Sequence, residues 1–168
     1  ALELIRTAVA AGVPVLGHCL GGQLMSKALG GSVRRNPTKE IGWGDIEVAD
    51  NGPARAWFGP DLKRFESFHW HGETFTIPPG GVRIMGNRHC ENQGFVVGKN
   101  LAMQCHVEMT EQLIDSWCEA GAQELAASKG SPAVQSAEQM KSRMQEKIIA
   151  LRGVADRLYD RWVEGLRR

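Results

Sequence analysis

The sequence predicts an α/β fold: a mostly parallel central sheet flanked by helices, with a small antiparallel addition and a C-terminal helix. Three observations carry this reading. The short apolar segment Pro14-Val15-Leu16 runs through a glycine-rich turn into a helical stretch. A middle region of short alternating segments, broken by Gly and Pro, reads as strands. From Thr110 onward the apolar spacing turns helical.

Each element has its own local reason. Leu2, Ile5 and Val9 fall at helical spacing, and Gly12 suits a helix end. Gly17 to Gly22 form a tight turn, and Gln23 to Leu29 read as a helix closed by Gly30-Gly31. Ile46 and Val48 alternate with polar residues, while Phe65 to Trp70 and Val82 to Met85 are strand candidates. Phe95-Val96-Val97 and Leu101-Ala102-Met103 flank Gly98-Lys99-Asn100, which predicts a hairpin. Thr110 suits the N-cap of a helix carrying Leu113, Ile114 and Trp117 on one face. Ser131-Pro132 predicts the start of a second helix, with Pro at its first position. Its apolar stripe runs through Val134, Ala137, Met140, Met144, Ile148, Leu151, Leu158 and Trp162, a face expected to pack on the domain, and Gly153 is a point where it kinks or divides. The expected organisation is a core over residues 1–130 and a helical extension over 131–168, packed on the same domain.

Composition narrows the function classes. With 168 residues the chain is long enough for one domain with a sizeable core. A net charge of +1 gives no strong field for nucleic acid or anionic membrane, so neither is expected as a partner. No apolar run approaches the ~20 residues of a membrane span. The four cysteines stand at 19, 90, 105 and 118, none in a C-x-x-C pair, which fits a reducing compartment and a cytoplasmic location.

Three residues carry the chemistry. Cys19 sits on a sharp strand-to-helix turn with glycines on both sides, the geometry that pushes a nucleophile out of a sheet. The following helix points its N-terminus at the sulfur and favours thiolate, and the Leu20 N–H is a natural oxyanion donor. His106 and Glu108 follow a strand candidate, two residues apart, where a carboxylate can reach an imidazole and fix its tautomer. Alone, the Gly-x-Cys-x-Gly turn stands level with a small core cysteine, and His-x-Glu is usually a solvated pair.

Together they resemble the class I glutamine amidotransferases. The nucleophile motif of that family stands here as Gly17-His18-Cys19-Leu20-Gly21-Gly22-Gln23, and its histidine motif as Gln104-Cys105-His106-Val107-Glu108. Asn92-Gln93-Gly94-Phe95 lies between them, as the family's substrate-contacting segment does. Gly30-Gly31-Ser32-Val33, Glu40-Ile41-Gly42-Trp43 and His69-Trp70-His71-Gly72-Glu73-Thr74-Phe75 also look like the family, the last like the amidotransferase domain of GMP synthetases and their stand-alone relatives. The resemblance runs from Ala1 to about Trp117 and implies a flavodoxin-like sheet. It implies that Cys19 attacks the side-chain amide of glutamine, that His106 is acid and base, and that Glu108 orients it. Gln23 and the backbone of Asn92, Gly94 and Phe95 would hold the amino-acid end of the substrate. No cofactor and no metal are implied. Cys105 and Val107 depart from the Phe and Pro usual beside the histidine, which leaves a smaller neighbour and a less rigid backbone.

The remaining histidines and methionines take structural readings. His18 is expected to pack or face solvent, and His69 and His71, on one strand face, to line the rim of the site rather than bind metal. Met140 and Met144 read as core. The resemblance also implies further βα units before Ala1, with a loop that supplies the second oxyanion donor. On that expectation the chain alone has weak or no glutaminase activity, and its uncovered sheet invites self-association as a homo-oligomer. Three readings stay open: a stand-alone hydrolase of γ-glutamyl small molecules, a non-catalytic relic, and an amidotransferase serving a separate synthetase or acceptor subunit.

Overall fold

The computed structural model describes residues 1–166. The chain begins with α1 (Leu2–Ala10), β1 (Leu16–His18) and α2 (Leu20–Ala28), followed by the long strand β2 (Val33–Val48). Next come α3 (Gly52–Phe58), β3 (Arg64–Phe75), β4 (Val82–Gly86) and the hairpin of β5 (Gly94–Val97) and β6 (Asn100–Met103). It ends with α4 (Glu111–Ala120), α5 (Ala122–Ser128), β7 (Ala133–Val134), α6 (Ala137–Lys141) and α7 (Met144–Leu166).

The strands form one sheet in the order β1-β6-β5-β4-β2-β3, with β7 pairing β2. This is the expected α/β class, with helices against the sheet. The balance of pairing differs from the expectation: β1–β6 and β2–β7 are parallel, and the other described pairs are antiparallel. The antiparallel part is large because β2 and β3 pair along most of their length, from Val33 opposite Phe75 to Glu47 opposite Arg64. A bulge between Arg35 and Glu40 bends β2 on the way.

Strand alternation sends neighbouring side chains to opposite faces. In β6, Leu101 and Met103 enter a large apolar cluster with Phe58, Phe68, Leu151 and Leu158, so α3 and α7 cover that face. Ala102 enters a second cluster with Met25, Phe75 and Phe95, where α2 covers the other face and Ile5 of α1 packs alongside. The amphipathic stripe of α7 is therefore core: Ile148, Leu151, Val154, Ala155 and Leu158 are all buried. Gly153 lies inside α7, which runs through it undivided.

Two local readings change. The helix expected at Ser131-Pro132 does not start there. Ser131 Oγ donates to the Lys39 carbonyl at 2.7 Å, and Ala133 and Val134 lie beside Glu40 and Ile41 as β7. Pairing with β2 outweighs the weak preference of Pro for a first helical turn. The helix begins further along, where Ser136 and Gln139 form a reciprocal capping box. Arg143, at φ 53°, then separates α6 from α7. The second change is α3, which the sequence reading does not contain. The Asn51 side chain accepts from the Ala54 N–H at 2.9 Å, and the helix buries Trp57 and Phe58.

A buried polar group crosses the β2–β3 layer. Glu40 accepts from Asn87 Nδ2 at 2.7 Å and from Gln93 Nε2 at 2.8 Å, and its Oε2 lies 3.1 Å from His71 Nε2. Burial opposes ionisation of Glu40, but the contacts with His71, His69 and Asn87 together outweigh it and hold the carboxyl below its usual range. His69 has no such partner. It is 1% exposed, and neither ring nitrogen finds a hydrogen bond among the described residues. Burial pulls its pKa down to about 4.

This gives the fold a pH dependence of definite sign. Between pH 6.5 and about 4 the unfolded chain binds a proton at residue 69 that the folded chain refuses. The contribution of His69 is therefore full above pH 6.5 and falls as pH drops toward 4, by about 3 kcal/mol. Urea midpoints measured between about pH 7.5 and about pH 4 should decline, and His69→Met should flatten the decline. An equally steep decline in the variant would refute this origin.

Candidate active site

The site is built where β1 ends and α2 begins. Cys19 is the N-cap of α2 and adopts φ 47° and ψ −106°, a conformation rarely taken by a residue with a side chain. Its own N–H donates to the Met103 carbonyl at 2.8 Å, which ties the turn to the end of β6. Two glycines make this approach feasible. A Cβ on Gly17 would lie 2.5 Å from the Gly21 carbonyl carbon, and one on Gly22 would lie 2.5 Å from the Met103 carbonyl oxygen. Leu20 is the first residue of α2, so its N–H has no partner within the helix.

His106 is fixed from three sides. Its N–H donates to the Phe68 carbonyl at 2.8 Å, and its carbonyl accepts from the Phe68 N–H at 3.4 Å and from Ser67 Oγ at 3.1 Å. Trp117 of α4 packs edge-on against the imidazole, with ring centroids 4.8 Å apart. The bridge to β3 holds the backbone that a proline at position 107 would otherwise stiffen. Cys105 and Val107 are buried in the large cluster, which fills the space beside the histidine.

The imidazole Nδ1 lies 2.6 Å from Glu108 Oε1. That leaves Nε2 free on the side of Cys19, which borders the same cavity. Burial opposes charge on His106, but the contacts with Cys19 and Glu108 prevail and push its pKa up to about 9. Burial likewise opposes ionisation of Glu108, and the hydrogen bond and charge of His106 together with His18 outweigh it, so its carboxyl sits below the usual range. A thiol, a base that readily holds a proton and a carboxylate that orients the base thus stand in a row. Such an arrangement can form and cleave an acyl-thiol bond.

Gln104, which the sequence places in the histidine motif without a role, joins this group. Its Nε2 lies 3.5 Å from Cys19 Sγ, and its Oε1 accepts from Gln23 Nε2 at 3.2 Å. Gln23 is therefore brought to the sulfur through Gln104. Asn92, Gly94 and Phe95 sit deeper. Asn92 donates to the Phe75 carbonyl at 2.9 Å, Gly94 pairs with Met103, and the Phe95 ring packs against Phe75. The Gln104 N–H donates to the Gln93 carbonyl at 2.8 Å, which connects that segment to the site.

A cavity of about 460 Å³ opens beside the sulfur, bordered by His18, Cys19, Leu20, Trp70, His106, Trp117, Ala120 and Gly121. Trp70 is held by a hydrogen bond from its Nε1 to Glu124 at 2.9 Å. Gly121 leaves room for its ring, since a Cβ there would overlap it. Sequence reasoning missed Trp70 and Trp117 as parts of the wall, because their partners lie in elements distant along the chain.

The other cysteines lie away from solvent. Burial pushes the Cys90 thiol up to about 11 and the Cys105 thiol up to about 12, and it also raises Cys118. Among the described residues one set of donors could share a metal ion: Glu40, His71 and Cys90, all within 4.8 Å of one another. Those groups are already engaged, the first two with each other and Cys90 with Thr74 Oγ1 at 3.2 Å. No described helix is long and apolar enough to cross a membrane.

Comparison with known proteins adds a family to this geometry. Glutamine amidotransferase class-I matches residues 1–117. A glutamine amidotransferase-like protein of Salmonella typhimurium, YfeJ, is 32% identical over 158 residues, covering 87% of this chain and 63% of the relative. One subunit of a glutamine-hydrolysing GMP synthase from Sulfolobus acidocaldarius is 34% identical over 100 residues, covering 58% of this chain and 52% of the relative. The crystal structure of a glutamine amidotransferase from Methylobacillus flagellatus superposes with a TM-score of 0.95 at 41% identity, over 99% of this chain and 69% of that one. One from Thermotoga maritima gives 0.84 at 32%, over 97% and 68%. The chain thus spans between half and two thirds of the length of the two curated relatives.

Two outcomes follow from the geometry. Gly22→Ala should force α2 away from β6, destabilise the protein by about 1–3 kcal/mol, and slow alkylation of Cys19; unchanged melting and reactivity would contradict the close seat. Glu108→Gln should lower the His106 pKa from about 9, as read by NMR titration of its ring signals. A value still about 9 would show that Glu108 does not hold the proton there.

Proposed function

The chain belongs to the class I glutamine amidotransferases, and from that premise we propose that it carries their cysteine-dependent glutaminase centre, releasing ammonia from the side chain of glutamine. The observation that carries this is the strained Cys19 on the same cavity wall as His106, whose imidazole lies 2.6 Å from Glu108.

In this reading the Cys19 sulfur attacks the side-chain amide carbon and forms a tetrahedral oxyanion, which the Leu20 N–H receives. The carbon–nitrogen bond breaks as the His106 imidazolium gives its proton to the leaving nitrogen, so ammonia departs and a γ-glutamyl thioester remains. Water then attacks the thioester, with neutral His106 taking its proton, and glutamate leaves. Glu108 keeps the His106 proton on Nδ1 throughout, which directs Nε2 at the sulfur. Gln23 and Gln104 stand on the side of the sulfur where the amino-acid end of the substrate lies, and the Asn92-to-Phe95 segment supports them from behind through the Gln93 carbonyl. Removing one oxyanion donor typically lowers such rates by roughly 10²–10³.

The ammonia goes to an acceptor on a separate synthetase subunit. Support for this comes from the relative that is itself named as one subunit of a GMP synthase. A specific observation favours a second reading. The wall beside Cys19 presents Trp70, Trp117 and Leu20, an apolar surface that suits a γ-glutamyl amide of an apolar amine.

A glutamine-like diazoketone should add once, at Cys19, with protection by glutamine and loss in Cys19→Ala, as read by intact-mass and peptide mass spectrometry. Ammonia release from glutamine, compared with amine release from γ-glutamyl anilides, then separates the two readings. A folded protein that acquires no adduct at Cys19 would refute both.

A further inference from the structure

Glu108 has two oxygens, and the reaction above uses one. Oε1 meets His106. Oε2 lies 3.2 Å from Nδ1 of a second histidine, His18. Both of these atoms are buried, and neither has an aligned hydrogen bond elsewhere among the described residues. At 3.2 Å the two atoms are within reach of each other. The other nitrogen of His18, Nε2, lies 3.1 Å from the Tyr159 hydroxyl of α7. The His18 and His106 rings are nearly parallel, 13° apart, and flank the carboxylate with centroids separated by 6.5 Å.

For an uncharged His18 the hydrogen-bonding chemistry of this row allows one arrangement in which each contact is satisfied. A phenol that donates to Nε2 leaves the His18 proton on Nδ1, where it faces Glu108 Oε2. Glu108 then accepts from both imidazoles. We propose that Tyr159 and His18 form a second orienting arm for Glu108, so that the C-terminal helix α7 positions the carboxylate that positions His106. This rests on the role given to Cys19, His106 and Glu108 above. His18 borders the cavity beside Cys19, but its two ring nitrogens face Glu108 and Tyr159, so it and Tyr159 act as positioning residues.

The groups around His18 agree with a neutral relay. Glu108, His106, the Cys105 carbonyl and Tyr159 face it. Burial lowers the His18 pKa and outweighs the attraction of Glu108, which keeps the ring uncharged. Burial pushes the Tyr159 hydroxyl up to about 12, so it retains its proton as the donor. Strand alternation explains why this residue can reach α7: Leu16 and His18 share a face of β1, and Leu16 packs in the cluster that α7 covers.

The test reads the tautomer and its consequence separately. In ¹⁵N NMR of the ring nitrogens, the parent should carry the His18 proton on Nδ1, and Tyr159→Phe should release that preference. In rate measurements with the diazoketone, Tyr159→Phe should react about threefold to tenfold more slowly, the worth of one neutral hydrogen bond, with the glutamine concentration for half-protection unchanged. In a Glu108→Ala background the same substitution should change nothing, because the arm has no carboxylate to hold. His18→Gln, which can accept from Tyr159 and donate to Glu108, should retain more reactivity than His18→Phe. A parent with the proton on Nε2, or a Tyr159→Phe loss that persists in Glu108→Ala, would overturn the proposal. A parent with the Nδ1 proton that resists the diazoketone would support the arm and overturn the function assigned to the site.

Discussion

The close seat of α2 on the end of β6 is the constraint from which the site follows. Gly22 lies so near the Met103 carbonyl that no side chain fits, and the Cys19 N–H donates to that same carbonyl. Once the helix is docked this tightly, the chain leaving β1 has a single residue, Cys19, in which to turn, and its left-handed backbone is the result. Such a conformation costs on the order of 1–3 kcal/mol and persists because the surroundings over-determine it. The sulfur is then presented to the three things it needs: the free N–H groups of α2, the Gln104 amide and the imidazole of His106.

Two histidines show how much the surroundings decide. His69 and His106 are both buried, and burial disfavours charge on each. His69 meets no aligned acceptor and titrates at about 4; His106 meets a thiol and a carboxylate and titrates at about 9. The same side chain is thus held uncharged in one layer and disposed to keep a proton in another. A carboxylate 2.6 Å away accounts for much of the difference.

The sequence makes legible what depends on neighbours along the chain. The glycines around Cys19, the Gly98-Lys99-Asn100 turn of the β5–β6 hairpin and the Thr110 cap all have local causes, and each appears where expected. The spacing of His106 and Glu108 likewise foreshadows their contact. What stays hidden depends on distant partners. Ser131-Pro132 resembles a helix start until β2 offers it a ladder 92 residues away in sequence. The extent of β2–β3 pairing, which makes the sheet more antiparallel than expected, has no marker in either strand alone. His18 reads as a packing residue because its partner Tyr159 lies 141 residues further on, in a helix whose stripe predicts burial and nothing more. The Asn51-Gly52-Pro53 start of α3 is visible in principle: Asn is a strong N-cap, and Pro fits a first turn.

Burial also divides the four thiols by vulnerability. Cys90 and Cys105 are closed off and held protonated at neutral pH, and Cys118 is buried on the inner face of α4. Cys19 alone is partly open. Peroxide and electrophiles attack thiols they can reach, so oxidative damage to this protein falls first on Cys19. Among the described residues no second cysteine stands at the surface to trap a sulfenic acid there as a disulfide. An oxidised Cys19 must therefore be rescued by a small external thiol or proceed to sulfinic acid, and the reducing power of the surroundings sets how long the site survives.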